Sequence, residues 1–182
     1  MILNIILIIL AIVGGLVALF LLIAAFSKKK YTVAREISID KPRQEVFDYL
    51  KHLKNQDHYS KWVMELPDKK TTFTGTDGAP GFVYTWDDRK SAGAQEIKRI
   101  VPNESIDMEI RFLKPFKGVA QASLFTKELP GNGQGHTQVK WTFASQMPFP
   151  MNAMMVFMNI ENFLGKDLDL SLGNLKAVLE RR

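Results

Sequence analysis

Hydrophobic and polar positions follow three rhythms along the chain. Residues 1–26 are apolar almost without interruption, Asn4 being the only strongly polar side chain among them. A bilayer core of about 30 Å takes about 20 such residues at 1.5 Å rise each, so this run predicts one transmembrane helix. From residue 31 the rhythm changes to two. Tyr31, Val33, Ile37 and Ile39 fall on one side, with Thr32, Glu36 and Ser38 on the other, as in a half-buried strand. Asp40-Lys41-Pro42 then opens a helix carrying Val46, Phe47 and Leu50, with Asp40 as its expected N-cap. A second helical piece is expected over 53–62.

Six further strands follow, at 70–74, 82–86, 93–101, 105–112, 119–128 and 137–145. They are separated by turn signals such as Gly75 to Gly81, Pro102-Asn103-Glu104 and Pro130 to Gly135. Short turns between successive strands imply an antiparallel meander, seven strands in all. The third rhythm, near 3.6, runs over 152–179. It gathers Met154, Phe157, Met158, Leu164, Leu168, Leu172, Leu175 and Leu179 on one helical face. The resulting class is α+β: a curved antiparallel sheet around a long C-terminal helix, preceded by one transmembrane helix.

Charge settles the organisation. The 182 residues carry 24 Lys and Arg against 19 Asp and Glu, a net +5. No ionisable side chain precedes Lys28, and Lys28, Lys29 and Lys30 supply three of the five charges. Elsewhere 21 basic residues face 19 acidic ones, so the basic balance marks a membrane boundary and predicts no nucleic-acid partner. A cleavable signal peptide fits poorly: nothing basic precedes the apolar run, and the run exceeds the usual h-region. The positive-inside rule puts the N-terminus outside and the following domain in the cytoplasm, at the cell (inner) membrane. Three parts are expected: a transmembrane anchor at 1–26, a basic juxtamembrane linker at 27–30, and one domain at 31–182.

The residues Ile37-Ser38-Ile39-Asp40-Lys41-Pro42, Val46-Phe47, Gly81 with Tyr84-Thr85-Trp86, and Gly93 before Gln95-Glu96-Ile97 resemble the SRPBCC superfamily, also called START-like or birch-pollen-allergen-like. Gly165-Lys166-Asp167-Leu168 and Leu172-Gly173-Asn174-Leu175-Lys176 are similar to its closing helix, and the polyketide cyclase/dehydrase-type members are nearest in kind. The resemblance covers about 31–180. It implies a helix-grip fold around a hydrophobic cavity. It implies no single reaction, because the superfamily spans lipid carriers, cyclases and other binders.

A cavity needs inward side chains that are bulky and mostly apolar. Strand alternation nominates Tyr84, Trp86, Met108, Ile110, Trp141 and Phe143. Met154 and Met158 belong to a cluster of five methionines within residues 147–158, and such side chains adapt to varied apolar shapes. The same residues also serve as ordinary core packing, and the Met-rich turn is also placed to dip towards the bilayer. Glu161 falls inside the apolar arc, with Gly165 one turn on. There it is either a cavity acid with a raised pKa, the one catalytic candidate with Tyr84 as partner, or a rim residue neutralised by Lys or Arg after a bend at Gly165.

No metal site is expected: His52, His58 and His136 lack ligand spacing, and the chain has no Cys. No cofactor or nucleophile motif is present, G-x-S-x-G, GxxxxGK[ST], GxGxxG and HExxH all being absent. The first expectation is therefore a membrane-anchored binder of a lipid-like or polyketide-like small molecule, contacting the bilayer through residues 2–26. A cyclase or dehydrase using a cavity acid, and a protein-recruiting module with a vestigial cavity, are the alternatives.

Overall fold

The computed structural model describes residues 2–66, 68–130 and 135–181. Part of the expected loop after Pro130, and Arg182, lie outside the described residues. The chain divides into two compact units, Met1–Tyr31 with Gln146–Ile160, and Thr32–Ser145 with Glu161–Arg182.

The first unit contains α1 (Ile2–Phe26), 25 residues with a high mean hydropathy and almost wholly exposed side chains. At 1.5 Å per residue it is about 37 Å long, enough to cross a hydrocarbon core with some tilt. Its end is closed locally: Ser27 donates from both N and Oγ to Ile23 O, at 3.0 and 2.6 Å. The other part of this unit departs from the expected single helix over 152–179. Met151–Ala153 forms a 3₁₀ turn and Met154–Phe157 a four-residue helix, α4, which stops at Met158 with extended backbone angles of −102° and 123°. The long helix, α5, starts afresh at Ile160 and runs to Glu180. The phase of the hydrophobic arc is therefore broken at Met158, and Met154, Phe157 and Met158 do not continue the stripe of α5.

In the second unit, a seven-stranded antiparallel sheet has the order β1-β7-β6-β5-β4-β3-β2. The strands are β1 (Lys30–Ile39), β2 (Lys70–Thr74), β3 (Val83–Asp87), β4 (Ala92–Val101), β5 (Ser105–Lys114), β6 (Gly118–Glu128) and β7 (Thr137–Gln146). Each lies within two residues of its expected bounds, because one buried face makes the period-two signal strong. Between β1 and β2 come α2 (Arg43–Leu50), a 3₁₀ turn (Leu53–His58) and the short α3 (Lys61–Met64). Asp40 does not cap α2. The helix begins after Pro42 without a side-chain cap, and the Asp40 carboxylate instead lies 2.5 Å from His136 Nδ1.

Helix α5 buries one stripe, Leu168, Leu172, Leu175 and Leu179, each no more than 1 % exposed. Burying a leucine side chain contributes about 1.5–3 kcal/mol, so this stripe is a main source of the domain's cohesion. Polar straps fix its rotation. Lys176 Nζ donates to Ser38 O at 2.7 Å, Asp40 N to Glu180 Oε1 at 2.8 Å, and Lys61 N to Ser171 Oγ at 3.0 Å.

On the sheet's opposite face, Glu96 and Glu109 are directly paired across β4 and β5. Two carboxylates so placed repel, and Arg111 reconciles them by donating from Nη1 to Glu96 Oε2 at 2.8 Å and Glu109 Oε1 at 2.6 Å. Those hydrogen bonds hold both carboxyls below the usual glutamate value. A depressed carboxyl pKa contributes stability above the unfolded value and loses it as pH falls through the folded one. Arg111→Gln is therefore expected to lower the urea midpoint at neutral pH. Its gap to the parent should close as pH falls below the ordinary value of 4.5. A gap independent of pH would count against this account.

Candidate functional site

The ladder register decides which strand residues share a face, since directly paired residues point the same way. Trp86 pairs with Gly93, and Gly93 with Phe112. Tyr84 pairs with Gln95, and Gln95 with Ile110. Met108 pairs with Ala122, Ala122 with Phe143, and Leu124 with Trp141. Tyr84, Trp86, Met108, Ile110, Trp141 and Phe143 therefore lie on one face, as their alternation predicts. Tyr84, Met108 and Trp141 are buried, while Trp86, Ile110 and Phe143 are half-buried.

The face is lined by aromatic rings in two groups. Near β2 and β3, Phe73, Tyr84 and Trp86 form a row with neighbouring centroids 5.5 and 6.0 Å apart. Near β7, Trp141 meets Tyr59 and Trp62 edge-on, both at 6.0 Å, and Phe143 lies 6.4 Å from Trp62. Small residues make room between them: Gly93, Ala120 and Ala122 are all buried on this face. A Cβ at Gly93 would come within 2.5 Å of both Trp86 Cζ2 and Arg111 O. The glycine thus lets the indole lie flat on the sheet, where its Nε1 donates to Ser91 Oγ at 3.0 Å.

Few polar groups interrupt this surface. Gln95 Nε2 is buried and directed at Met108 Sδ, 3.0 Å away. Burial raises the Tyr59 phenol well above its ordinary value, and it raises the Tyr84 phenol too, with a smaller contribution from Asp57. Both phenols stay uncharged across the physiological range, and the Tyr59 hydroxyl is buried without a hydrogen-bond partner. Trp141 Nε1 is buried without a hydrogen-bond partner. A buried donor left unpaired costs about 1–3 kcal/mol, so an acceptor arriving there would relieve a standing cost.

Beside the Phe73–Tyr84–Trp86 row lies an open hollow of ≈ 340 Å³, lined by Asp57, Val63, Met64, Lys69 and Thr71. Thr71 is the ladder partner of Trp86, which ties the hollow to the same sheet face. Lys69 Nζ spans it, donating to Asp57 Oδ1 at 3.1 Å and Val63 O at 2.8 Å. Composition carries a signal for Trp62 but none for Asp57, Lys69 or Thr71, whose convergence is a product of topology.

Glu161 is not a cavity acid. Its side chain is more than half exposed and bound to Arg35 of β1, with Nη1 to Oε1 at 2.7 Å. Arg35 also reaches Asp169 at 3.2 Å and the Glu161 carbonyl at 3.2 Å. Within α5 Glu161 keeps the phase of Leu168, one heptad on, but it stands in the helix's first turn, where it meets Arg35 rather than the apolar core. Gly165 serves this arrangement directly: a Cβ there would lie 2.0 Å from Arg35 Nη2, so only glycine admits the guanidinium in this pose. The arginine is correspondingly held above its usual pKa, chiefly by the Glu161 bond. Met154 and Met158 lie in the other unit, with exposed side chains. Among the described residues no cluster of His, Asp and Glu is built to hold a metal.

The fold is shared with proteins of distant sequence. An uncharacterised protein from Rhizobium leguminosarum is 15 % identical, aligned over 85 % of this chain and 97 % of its own, with a TM-score of 0.53. XoxI from Bacillus cereus is 10 % identical over 81 % and 94 %, with a TM-score of 0.57. Ara h 8.0201 is 13 % identical over 84 % and 99 %, with a TM-score of 0.55. No curated protein matches by sequence. Residues 30–180 match the family described as polyketide cyclase / dehydrase and lipid transport. With its seven-stranded sheet and long closing helix, the chain belongs to that family, within the START-like SRPBCC proteins.

Proposed function

We propose that this protein is a membrane-anchored binder of an apolar or amphipathic small molecule, lipid-like or polyketide-like. The molecule lies on the aromatic face of the sheet. In this reading α1 spans the bilayer, with Lys28, Lys29 and Lys30 among the headgroups and the sheet domain on the cytoplasmic side. Juxtamembrane lysines contribute about 1 kcal/mol each near anionic lipid. The observation that carries the reading is the buried, unpartnered Nε1 of Trp141 within a face otherwise made of aromatic, methionine and small side chains. That combination suits a ligand with a long apolar body and one acceptor group. The family match to cyclases, dehydrases and lipid transport agrees with the ligand class. The geometry favours binding over acid–base chemistry, because Glu161 is spent on Arg35 at an exposed position.

The test is mass spectrometry of solvent extracts from the purified full-length chain. An apolar molecule should co-purify near one per chain. Trp141→Phe should weaken its retention by about three- to tenfold, as expected for one hydrogen bond of about 1 kcal/mol. Glu161→Gln should leave retention unchanged. Repeated recovery of no molecule above a Tyr84→Ala, Trp141→Ala control would overturn the reading.

A further inference from the structure

The unit that contains α1 also contains Gln146–Ile160, and that segment has no ionisable side chain. Its polar residues are Gln146, Asn152 and Asn159. It exposes large apolar groups instead: Phe149 is 51 % exposed, Val156 61 %, Phe157 69 %, and Met151, Met154 and Met158 between 36 and 43 %. So dense an apolar surface marks a contact site.

What covers it follows from how it is fastened. Asn152 is fully buried, and its Nδ2 donates to Ala24 O at 2.6 Å and to Ser27 O at 3.2 Å. Met147 N donates to Lys29 O at 2.8 Å. The last carbonyls of a helix have no partner within it, and here a side chain from a distant part of the sequence supplies one. The segment is thereby pinned where α1 ends, immediately beside Lys28, Lys29 and Lys30. If α1 spans a bilayer, that level is the boundary between headgroups and acyl chains. Exposed Phe and Met side chains without charge are stable there.

We propose that residues 147–158 form a second membrane-contacting element, a foot lying in the headgroup–acyl boundary beside α1, with Asn152 as the tether that sets its depth. This inference rests on the reading of α1 as a membrane span. It adds that the chain grips the bilayer at two places far apart in sequence. Moving exposed apolar atoms out of water is favourable, so the foot adds affinity and fixes an orientation that one helix alone leaves free.

The absence of cysteine makes the test direct, since single cysteines introduced into the full chain take a label without competition. Phe149→Cys, Phe157→Cys, Leu16→Cys and Lys127→Cys would each carry an environment-sensitive fluorophore. The chain would sit in phosphatidylcholine/phosphatidylglycerol vesicles, with or without lipids bearing a nitroxide high on the acyl chain. All four parent side chains are exposed, so the labels do not disturb packing. Labels at 149, 157 and 16 should be quenched at least about twofold, and the label at 127 hardly at all, as expected for interfacial and spanning elements. Quenching at 16 without quenching at 149 and 157 would overturn the foot and leave the anchor standing. Loss of quenching at all three would overturn both. Adding Asn152→Ala should reduce quenching at 157 and not at 16; unchanged quenching at 157 would remove Asn152 from the role of tether.

Discussion

Replacing Gly93 by Ala is expected to destabilise the sheet domain by about 2–3 kcal/mol, the upper part of the range for overpacking a close-fitted site. The added Cβ would lie 2.5 Å from the Arg111 carbonyl oxygen and 2.5 Å from the Trp86 ring. Neither neighbour yields easily. The carbonyl belongs to the backbone of central strand β5, and the indole is held by its bond to Ser91 and an edge contact with Phe112 at 6.2 Å. Relief requires either a shift between β4 and β5 or ejection of Trp86 from the aromatic row. The same substitution at Gly165 separates the mechanisms. There the obstruction is the tip of Arg35, a flexible side chain at the rim. Rotating it away forfeits exposed ion pairs, while Ala gains about 1 kcal/mol of helix propensity over Gly. Gly165→Ala should therefore fall within about 0.5 kcal/mol of the parent. Chemical denaturation followed by tryptophan fluorescence reads both. Equal effects at the two positions would show that the close approach at Gly93 is not what limits the fold.

Tyr84, Trp86, Met108, Trp141 and Phe143 are legible in the sequence as members of one face, because a strand with one buried side leaves a period of two in its composition. What escapes is set by distance in sequence. The break at Met158 has no glycine or proline of its own to announce it. Met154, Phe157 and Met158 happen to continue the phase of Leu164 and Leu168, so periodicity runs across a boundary that tertiary structure imposes. The missing charge over 146–160 is the signal that periodicity hides. Glu161 shares the phase of Leu168 within α5, as its spacing implies, and what spacing does not reveal is that the first turn of α5 meets an arginine instead of apolar side chains. Its partner Arg35 lies 126 residues away on β1, in step with Val33 and Ile37 on the strand's apolar side, and the alternation does not say which carboxylate it meets. Gly165 stands out as a small residue in a helix, but the guanidinium it admits is visible only in three dimensions. The hollow beside Tyr84 is likewise made by chain crossings that bring Asp57 and Lys69 together.

On the anchored reading, placing lysines at both Leu10 and Val13 is expected to abolish membrane insertion. These side chains are 61 and 51 % exposed, three residues apart and near the middle of α1. Each lysine at the centre of a span costs about 2.5–3.5 kcal/mol, so the pair costs about 5–7 kcal/mol and their long stems cannot both reach water. The chain should leave the carbonate-resistant membrane fraction. Gly14→Leu is the matched control, since nothing lies within 4 Å of a Cβ built there and the change only adds apolar surface. Persistence of the double variant in the resistant fraction would refute spanning by α1. If the foot at 147–158 holds lipid as proposed, the double variant should retain a weaker, salt-sensitive affinity for anionic vesicles through that surface and the three lysines. Removing Phe157 and Phe149 as well should then abolish it. A spanning helix and an interfacial foot thus fail at different steps of one series, the first under alkaline carbonate and the second on removal of Phe149 and Phe157.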